Sequence, residues 1–328
     1  MSYALFVGEM LIDFIPLANG QEGVPSYQPH PGGAVANAAV ALARLGGSAR
    51  FVGKLGEDSF GQLLLHTLQK NKVDTRFTPL TRLGPTTMVL VTLQENGLRE
   101  FTFYRQGTSD TLLEIDDLIP QAWEDVVLLH AGSVLLSTEP SRKATLHALE
   151  YAHRQAIPVS FDVNVRTTLW PLEATLRETL AGVIPRVNLL KFSSDEAHYL
   201  DPTRSTPFDA EDSSGLQALG QKLLAQGPTL VVLTRGPLGA LLMTPQQSIE
   251  VPATTLAAID TTGAGDAFMG ALLHQLIDSQ QVSTNQLAHL SAEELQRLGQ
   301  YANRAAGLSC TRYGGIASLP FPEEMQAI

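Results

Sequence analysis

The residues with the most chemical content lie in the run Asp260-Thr261-Thr262-Gly263-Ala264-Gly265-Asp266-Ala267-Phe268-Met269-Gly270. It opens an amphipathic segment, 264–277, in which Phe268, Leu272 and Leu276 share one face and Ala271 lies beside them. Glycines at a helix start leave backbone N–H groups and the positive end of the helix dipole at one point, which is a ready anion site. Asp266 falls in the first helical turn, where a carboxylate also stabilises the helix. Capping alone does not account for the two glycines just before it. A base beside an anion site is what phosphoryl transfer to an alcohol needs. The carboxylate takes the hydroxyl proton, and the N–H groups stabilise charge on the phosphoryl oxygens. Phosphoryl transfer is therefore the first expectation.

A second glycine pair, Gly32-Gly33, precedes a helical segment over 34–45 that carries Asn37 one turn in. Glycines there let a ligand approach the backbone, and an inward amide donates and accepts hydrogen bonds to sugar hydroxyls. The alternative is close packing of this helix on a sheet, which its six alanines at 34, 36, 38, 39, 41 and 43 favour. Asp13 sits among Leu11, Ile12 and Phe14, so it is either buried with a partner or faces a polyol. Other phosphate motifs fail. Gly53-Lys54 is followed by Leu55 and lacks the earlier Walker A glycine, and no Gly-x-Gly-x-x-Gly opens a helix after the first strand. A nicotinamide dehydrogenase is left as the runner-up enzyme class.

These residues need a scaffold. Short apolar runs at 3–7, 50–53, 126–130, 158–162, 187–191 and 230–234 alternate with helical segments at 34–45, 59–72, 140–155, 215–226 and 264–277. That rhythm predicts crossover units and a mostly parallel sheet in a three-layer α/β/α sandwich, a single domain over 1–328. The strand-like runs 86–94 and 98–104, joined through Asn96-Gly97, break the rhythm as a hairpin. With 11–15 and 26–28 they predict a small antiparallel sheet, a lid formed by about 11–31 and 86–106. Apolar residues lie on both faces of the first of these strands: Met88 and Leu90 on one, Val89, Val91 and Leu93 on the other. One face is expected over a ligand and the other against a second copy of the chain. The alternative is an ordinary strand pair buried in the main body. Segments 201–214 and 279–293 read as surface excursions, and no internal repeat or low-complexity tract is present.

The 328 residues carry 22 Lys and Arg against 33 Asp and Glu, a net charge of −11 that argues against nucleic-acid binding by bulk electrostatics. One cysteine, Cys310, excludes an internal disulfide or a multi-thiolate metal site and is expected of a reducing compartment. Glu9 and Asp13 interrupt the first apolar stretch, no secretory leader is read there, and no run reaches the length of a membrane span. A cytoplasmic protein is expected. The eight histidines share no spacing, and none enters the chemistry.

The pair of motifs resembles the ribokinase-like (PfkB) carbohydrate kinases. The first is Gly32-Gly33-Ala34-Val35-Ala36-Asn37, with Ala43-Arg44-Leu45-Gly46 and the run 51–61; the second is the 260–270 run. The resemblance extends from about 3 to about 320 and is nearest to the fructokinases and aminoimidazole riboside kinases. Gly8-Glu9-Met10-Leu11-Ile12-Asp13 is similar to their first strand and sugar-binding Asp, Phe161-Asp162-Val163-Asn164-Val165-Arg166 to a strand end near the acceptor, and Phe103-Tyr104-Arg105 to the lid strand. Position by position, the resemblance makes Asp266 the base and Gly263, Ala264 and Gly265 the anion hole. It puts Asp13, Gly32, Gly33, Asn37, Arg105 and Arg166 at the sugar. Arg166 has the alternative of pairing with Asp162 across the strand end. For ATP it implies Lys191, Ser193, Thr234, Gly236, Gly239, Gly265, Asn303 and Ala306, and for Mg2+ Glu196 acting through water. Many relatives have Asn where this chain has Ser193. Asp260, Thr262, Ser309, Arg312, Gly314 and Ser318 match where some relatives hold a monovalent cation such as K+. The implied activity is ATP-dependent sugar phosphorylation, with D-fructose as acceptor and a homodimer formed through the lid. A riboside, 2-keto-3-deoxygluconate, ribose or a nucleoside on the same machinery is the alternative, and a non-catalytic binding protein is the alternative of another class.

Overall fold

Apolar runs four to seven residues long cannot cover both of their own faces, so they pair into a sheet that helices close from either side. In the computed structural model, which describes residues 2–17, 25–93 and 99–326, the order opens with β1 (Tyr3–Val7), β2 (Leu11–Pro16), β3 (Tyr27–Gly32), α1 (Ala34–Arg44), β4 (Ala49–Val52), β5 (Leu55–Gly56), α2 (Ser59–Lys70), β6 (Leu80–Thr81), β7 (Met88–Leu93) and β8 (Arg99–Tyr104). It continues with β9 (Val126–Gly132), α3 (Ser141–Arg154), β10 (Val159–Asp162), α4 (Glu173–Val183), β11 (Leu189–Ser193), α5 (Ala197–Leu200), α6 (Ser213–Leu224) and β12 (Leu230–Thr234). It ends with β13 (Ala240–Met243), β14 (Ser248–Val251), α7 (Ala264–Asp278), α8 (Thr284–Ala288), α9 (Ala292–Ser309), α10 (Gly315–Ser318) and α11 (Pro322–Gln326).

The central sheet has eight strands in the order β14-β13-β12-β11-β10-β9-β1-β4. Six are parallel, and β13 and β14 extend the edge antiparallel, an addition the apolar rhythm did not announce. Alternation along β1 sends Ala4 and Phe6 into one core with residues of α1, α7 and α9. It sends Leu5 and Val7 into the other, with residues of α3, α4 and α6. The three-layer sandwich is thereby built.

A separate sheet, β3-β2-β7-β8, stands at one end. It is mixed rather than antiparallel as expected, because β2 and β7 run parallel while the flanking pairs are antiparallel. The chain between β2 and β7 returns through the body by way of α1, β4 and α2, and such a crossover permits parallel pairing. The Asn96-Gly97 turn lies outside the described residues, though β7 and β8 pair antiparallel on either side of it. The 279–293 segment is more than an excursion: it contains α8, and Leu287 and Leu290 are buried in the core. Among the described residues, no helix is long and apolar enough to cross a membrane.

Candidate active site

Connections leaving β1, β9, β10 and β11, the small sheet and the 258–266 segment enclose a cavity of about 590 Å³. This is the carboxyl end of the parallel strands, where open α/β sheets bind ligands. The small sheet contributes Leu11, Asp13, Phe101 and Phe103. Its inward face includes the buried Val89 and Val91, whose register partners are Phe103 and Phe101.

Asp266 lies at the cavity wall in the first turn of α7, nearly buried. Asn37 donates its Nδ2–H to Asp266 Oδ2 at 2.7 Å, across 229 residues of sequence. The Asn37 Oδ1 is buried and has no partner among the described residues. Burial pushes the Asp266 carboxyl above its usual range, while the Asn37 hydrogen bond, Lys191 and Arg166 pull it back. The result is a more basic carboxylate, held in one orientation.

The glycines have separate tasks. Gly263 takes the left-handed conformation, φ 80°, at the entry to α7. A Cβ on Gly265 would stand 3.0 Å from Lys191 Nζ. Both glycines line the cavity, whereas the Ala264 N–H donates to the Thr261 carbonyl at 3.2 Å. Gly33, φ 107°, lines the cavity at the start of α1. Gly32 serves Asp13 instead, since a Cβ there would meet Asp13 Oδ2 at 2.2 Å.

Lys191 is a buried cation reaching Asp162 Oδ1 and Oδ2 at 3.1 and 3.0 Å. Burial works against its charge, but Asp162, Glu196 and Asp266 outweigh it and hold the ammonium above its ordinary range. Asp162 is therefore occupied by Lys191 and not by Arg166. Arg166 lines the cavity, its Nη1 donating to the Val165 carbonyl at 3.1 Å. Arg105, which the resemblance puts at the sugar, stands behind the cavity, its Nη2 buried without a partner among the described residues. It is a buried strut below β8, donating to Asp110 Oδ2 at 2.7 Å and Ser137 Oγ at 2.8 Å, and it is not among the residues that line the cavity.

Of the residues the resemblance implies for ATP, Lys191, Ser193 and Gly265 line the cavity, and Thr234 is the register partner of Ser193 at the adjacent strand end. Gly236, φ 53°, has open space where a side chain would be, and Gly239, φ 93°, packs its Cα face against the Val251 carbonyl. Asn303, which the resemblance puts beside adenine, bridges the Val251 and Pro252 carbonyls with its Nδ2 at 3.0 Å each. Ala306 packs against the core nearby. The two Glu196 oxygens accept from the Val165 and Ser193 N–H groups, tying the β10 and β11 ends together at the cavity wall. Asp260 accepts from the Thr262 and Gly314 N–H groups and so joins the two loops expected around a cation. Ser309 and Ser318 hydroxyls donate to the Ala306 and Gly315 carbonyls, and Arg312 pairs with Glu324.

Glu9 and Asn164 line the cavity but carried no role in the sequence reading. Both stand inside quoted motifs, and Asn164 has the unusual φ of 34°. Only their burial beside the cavity marks them out.

A parallel α/β sheet with a buried carboxylate at a glycine-opened helix start suits a phosphotransferase of alcohols. The model of the pfkB family carbohydrate kinases matches residues 1–322, and the chain belongs to that family. It is 37% identical over 315 residues to the probable fructokinase-2 of Arabidopsis thaliana, covering 95% of this chain and 91% of that protein. Among solved structures, the Xylella fastidiosa fructokinase with bound ATP aligns with a TM-score of 0.87 at 28% identity, covering 99% of this chain and 97% of that one. The Salmonella enterica aminoimidazole riboside kinase, complexed with aminoimidazole riboside and an ATP analogue, aligns with a TM-score of 0.82 at 28% identity and covers 99% of both chains. The chain is a sugar kinase.

Proposed function

We propose that this protein is an ATP-dependent fructokinase, a single kinase unit whose small sheet is a lid, with Asp266 as general base. The observation that carries the reading is the Asn37–Asp266 hydrogen bond, which places an oriented, desolvated carboxylate beside the start of α7. Asp13, Gly33, Asn37 Oδ1 and Arg166 face the sugar, and Arg105 acts from the base of the lid. Asp266 removes the proton of the acceptor hydroxyl, and that oxygen forms a bond to the γ-phosphorus. The bond from the γ-phosphorus to the bridging oxygen breaks, and ADP leaves with the electron pair. Charge on the phosphoryl oxygens falls on the Gly263–Gly265 turn and the Lys191 ammonium. Phe101 and Phe103 on the lid exclude water from competing as acceptor.

When bound with the nucleotide, magnesium would neutralise phosphate charge. Among the described residues no group of three or more His, Cys, Asp or Glu is placed to hold a metal. Glu196, at the cavity wall, is the residue we assign to act on such an ion through water. Asp260, already tying two loops, is the anionic member of the K+ site we assign with Thr262, Ser309, Arg312, Gly314 and Ser318. The outer lid face, with Met88 and Leu90 half-buried and Tyr104 exposed, is assigned to a homodimer contact, and the enzyme to the cytoplasm.

The test is ADP release from ATP and magnesium, with and without K+, across D-fructose, ribose, 2-keto-3-deoxygluconate and aminoimidazole riboside. Asp266→Asn should lower kcat by about 10² to 10⁴ with ATP binding retained. Full turnover by the variant removes Asp266 as base. Preference for another acceptor replaces fructose.

A further inference from the structure

Glu9 follows β1 and lines the cavity with only 2% of its surface exposed. Its Oε1 accepts from the Ala34 N–H at 2.7 Å, at the first residue of α1. Its Oε2 is buried and has no partner among the described residues. Asp58, which caps α2, contrasts with it: both of its oxygens are bonded, by Gly61 and Thr86. Capping needs one oxygen, so the second is unexplained by the helix. A bare carboxylate oxygen in a buried wall is costly and calls for an occupant. The surrounding backbone allows little escape, because Gly33 packs so closely that a Cβ there would lie 2.6 Å from the Glu9 carbonyl. Burial pushes the carboxyl up to about 7, against the pull of its own backbone N–H, Arg105 and the Ala34 N–H and with Asp110 adding to the rise, so a further hydrogen-bond donor arriving in the cavity would favour the anion.

We propose that Glu9 is a specificity-determining residue of the acceptor site: Oε2 receives a sugar hydroxyl while Oε1 fixes the start of α1, three residues before Asn37. The proposal rests on the reading of a neutral sugar as acceptor. An acceptor-only oxygen is satisfied by an O–H group and repels an anion, so the site selects a polyol over a ligand that places a carboxylate there.

The experiment measures Kd by calorimetry, and KM and kcat, for D-fructose and its monodeoxy analogues with the wild type, Glu9→Met and Glu9→Gln. Met keeps the volume without a hydrogen bond; Gln keeps the Ala34 contact without the charge. In the wild type, one analogue should bind about 10- to 100-fold more weakly than fructose, the worth of a charge-assisted hydrogen bond. In Glu9→Met that discrimination should fall to within about twofold, with KM for ATP unchanged, and Glu9→Gln should lie between. Should Glu9→Met not fold, the reduced discrimination of Glu9→Gln decides. Undiminished discrimination in the variants, or a uniform loss of kcat and thermal stability for every acceptor, overturns the proposal in favour of a capping role alone. A wild type that phosphorylates none of the sugars overturns the acceptor reading itself, and this inference with it.

Discussion

Gly265→Ala separates stability from catalysis at the phosphoryl site. Gly265 lies in the first turn of α7 at a φ that any residue tolerates, so alanine should favour the helix by about 0.5–1 kcal/mol. Against that gain, the new Cβ would stand 3.0 Å from Lys191 Nζ and 3.9 Å from its Cε. Lys191 must yield by a few tenths of an ångström while keeping its contacts of 3.0 and 3.1 Å to Asp162. A flexible side-chain end can do that, so the two effects nearly cancel and Tm should move by no more than about 2 °C. Catalysis has no such tolerance. The methyl group occupies space between the ammonium and the helix start, where the proposed mechanism brings the transferring group to the Gly265 N–H. Loss of one such donor in a transition state costs about 10² to 10³ in kcat. Scanning calorimetry beside ADP-release kinetics should find a folded protein with kcat down by about 10². Wild-type kcat at unchanged Tm would refute the placement of the phosphoryl group, and a Tm loss above about 5 °C would mean that Lys191 cannot yield.

Three further outcomes follow from the same contacts. Asp266 acts as a base only when ionised, and Asn37 donates to its charged form, so Asn37→Ala should raise the carboxyl further and move the acid limb of kcat/KM to higher pH; an unmoved limb in the pH–rate profile would detach Asn37 from the base. Asp162→Asn leaves the buried Lys191 without its nearest anion and should cost about 3–5 kcal/mol by chemical denaturation. A loss below about 1 kcal/mol would mean that Glu196 and Asp266 suffice to hold the charge. Gly32→Ala puts a methyl group where Asp13 Oδ2 lies, and should raise the sugar KM about tenfold, one hydrogen bond's worth, with the ATP KM unchanged.

Much of this site was legible where the message is local. The run from Asp260 to Gly270 announces a glycine-opened helix with an acid in its first turn, because conformational freedom and capping depend on residues a few positions apart. The alternating apolar runs announce the parallel sheet for the same reason: burial on both faces demands it of each strand separately. Asp13 and Arg166, which the resemblance puts at the sugar, both line the cavity.

Pairings across long separations were another matter. Arg166 and Asp162 are neighbours in sequence and offered an ion pair, yet the parallel register puts Lys191 beside Asp162 and takes the aspartate away. Arg105 follows an inward-facing lid strand but is drawn below it by Asp110 and Ser137. Glu9 reads as an ordinary polar residue at the end of a strand until the packing of Gly33 and α1 buries it with one oxygen bare. The sequence by itself determined the parallel strands, the helices between them and the glycine turn that opens α7, since those follow from short-range periodicity and backbone freedom, while β13, β14, α4, α8 and α9 went unread. Only the tertiary structure decided which polar groups face the cavity and which support it. The charge, protonation and use of a side chain depend on the partners and solvent left to it once distant segments have packed together.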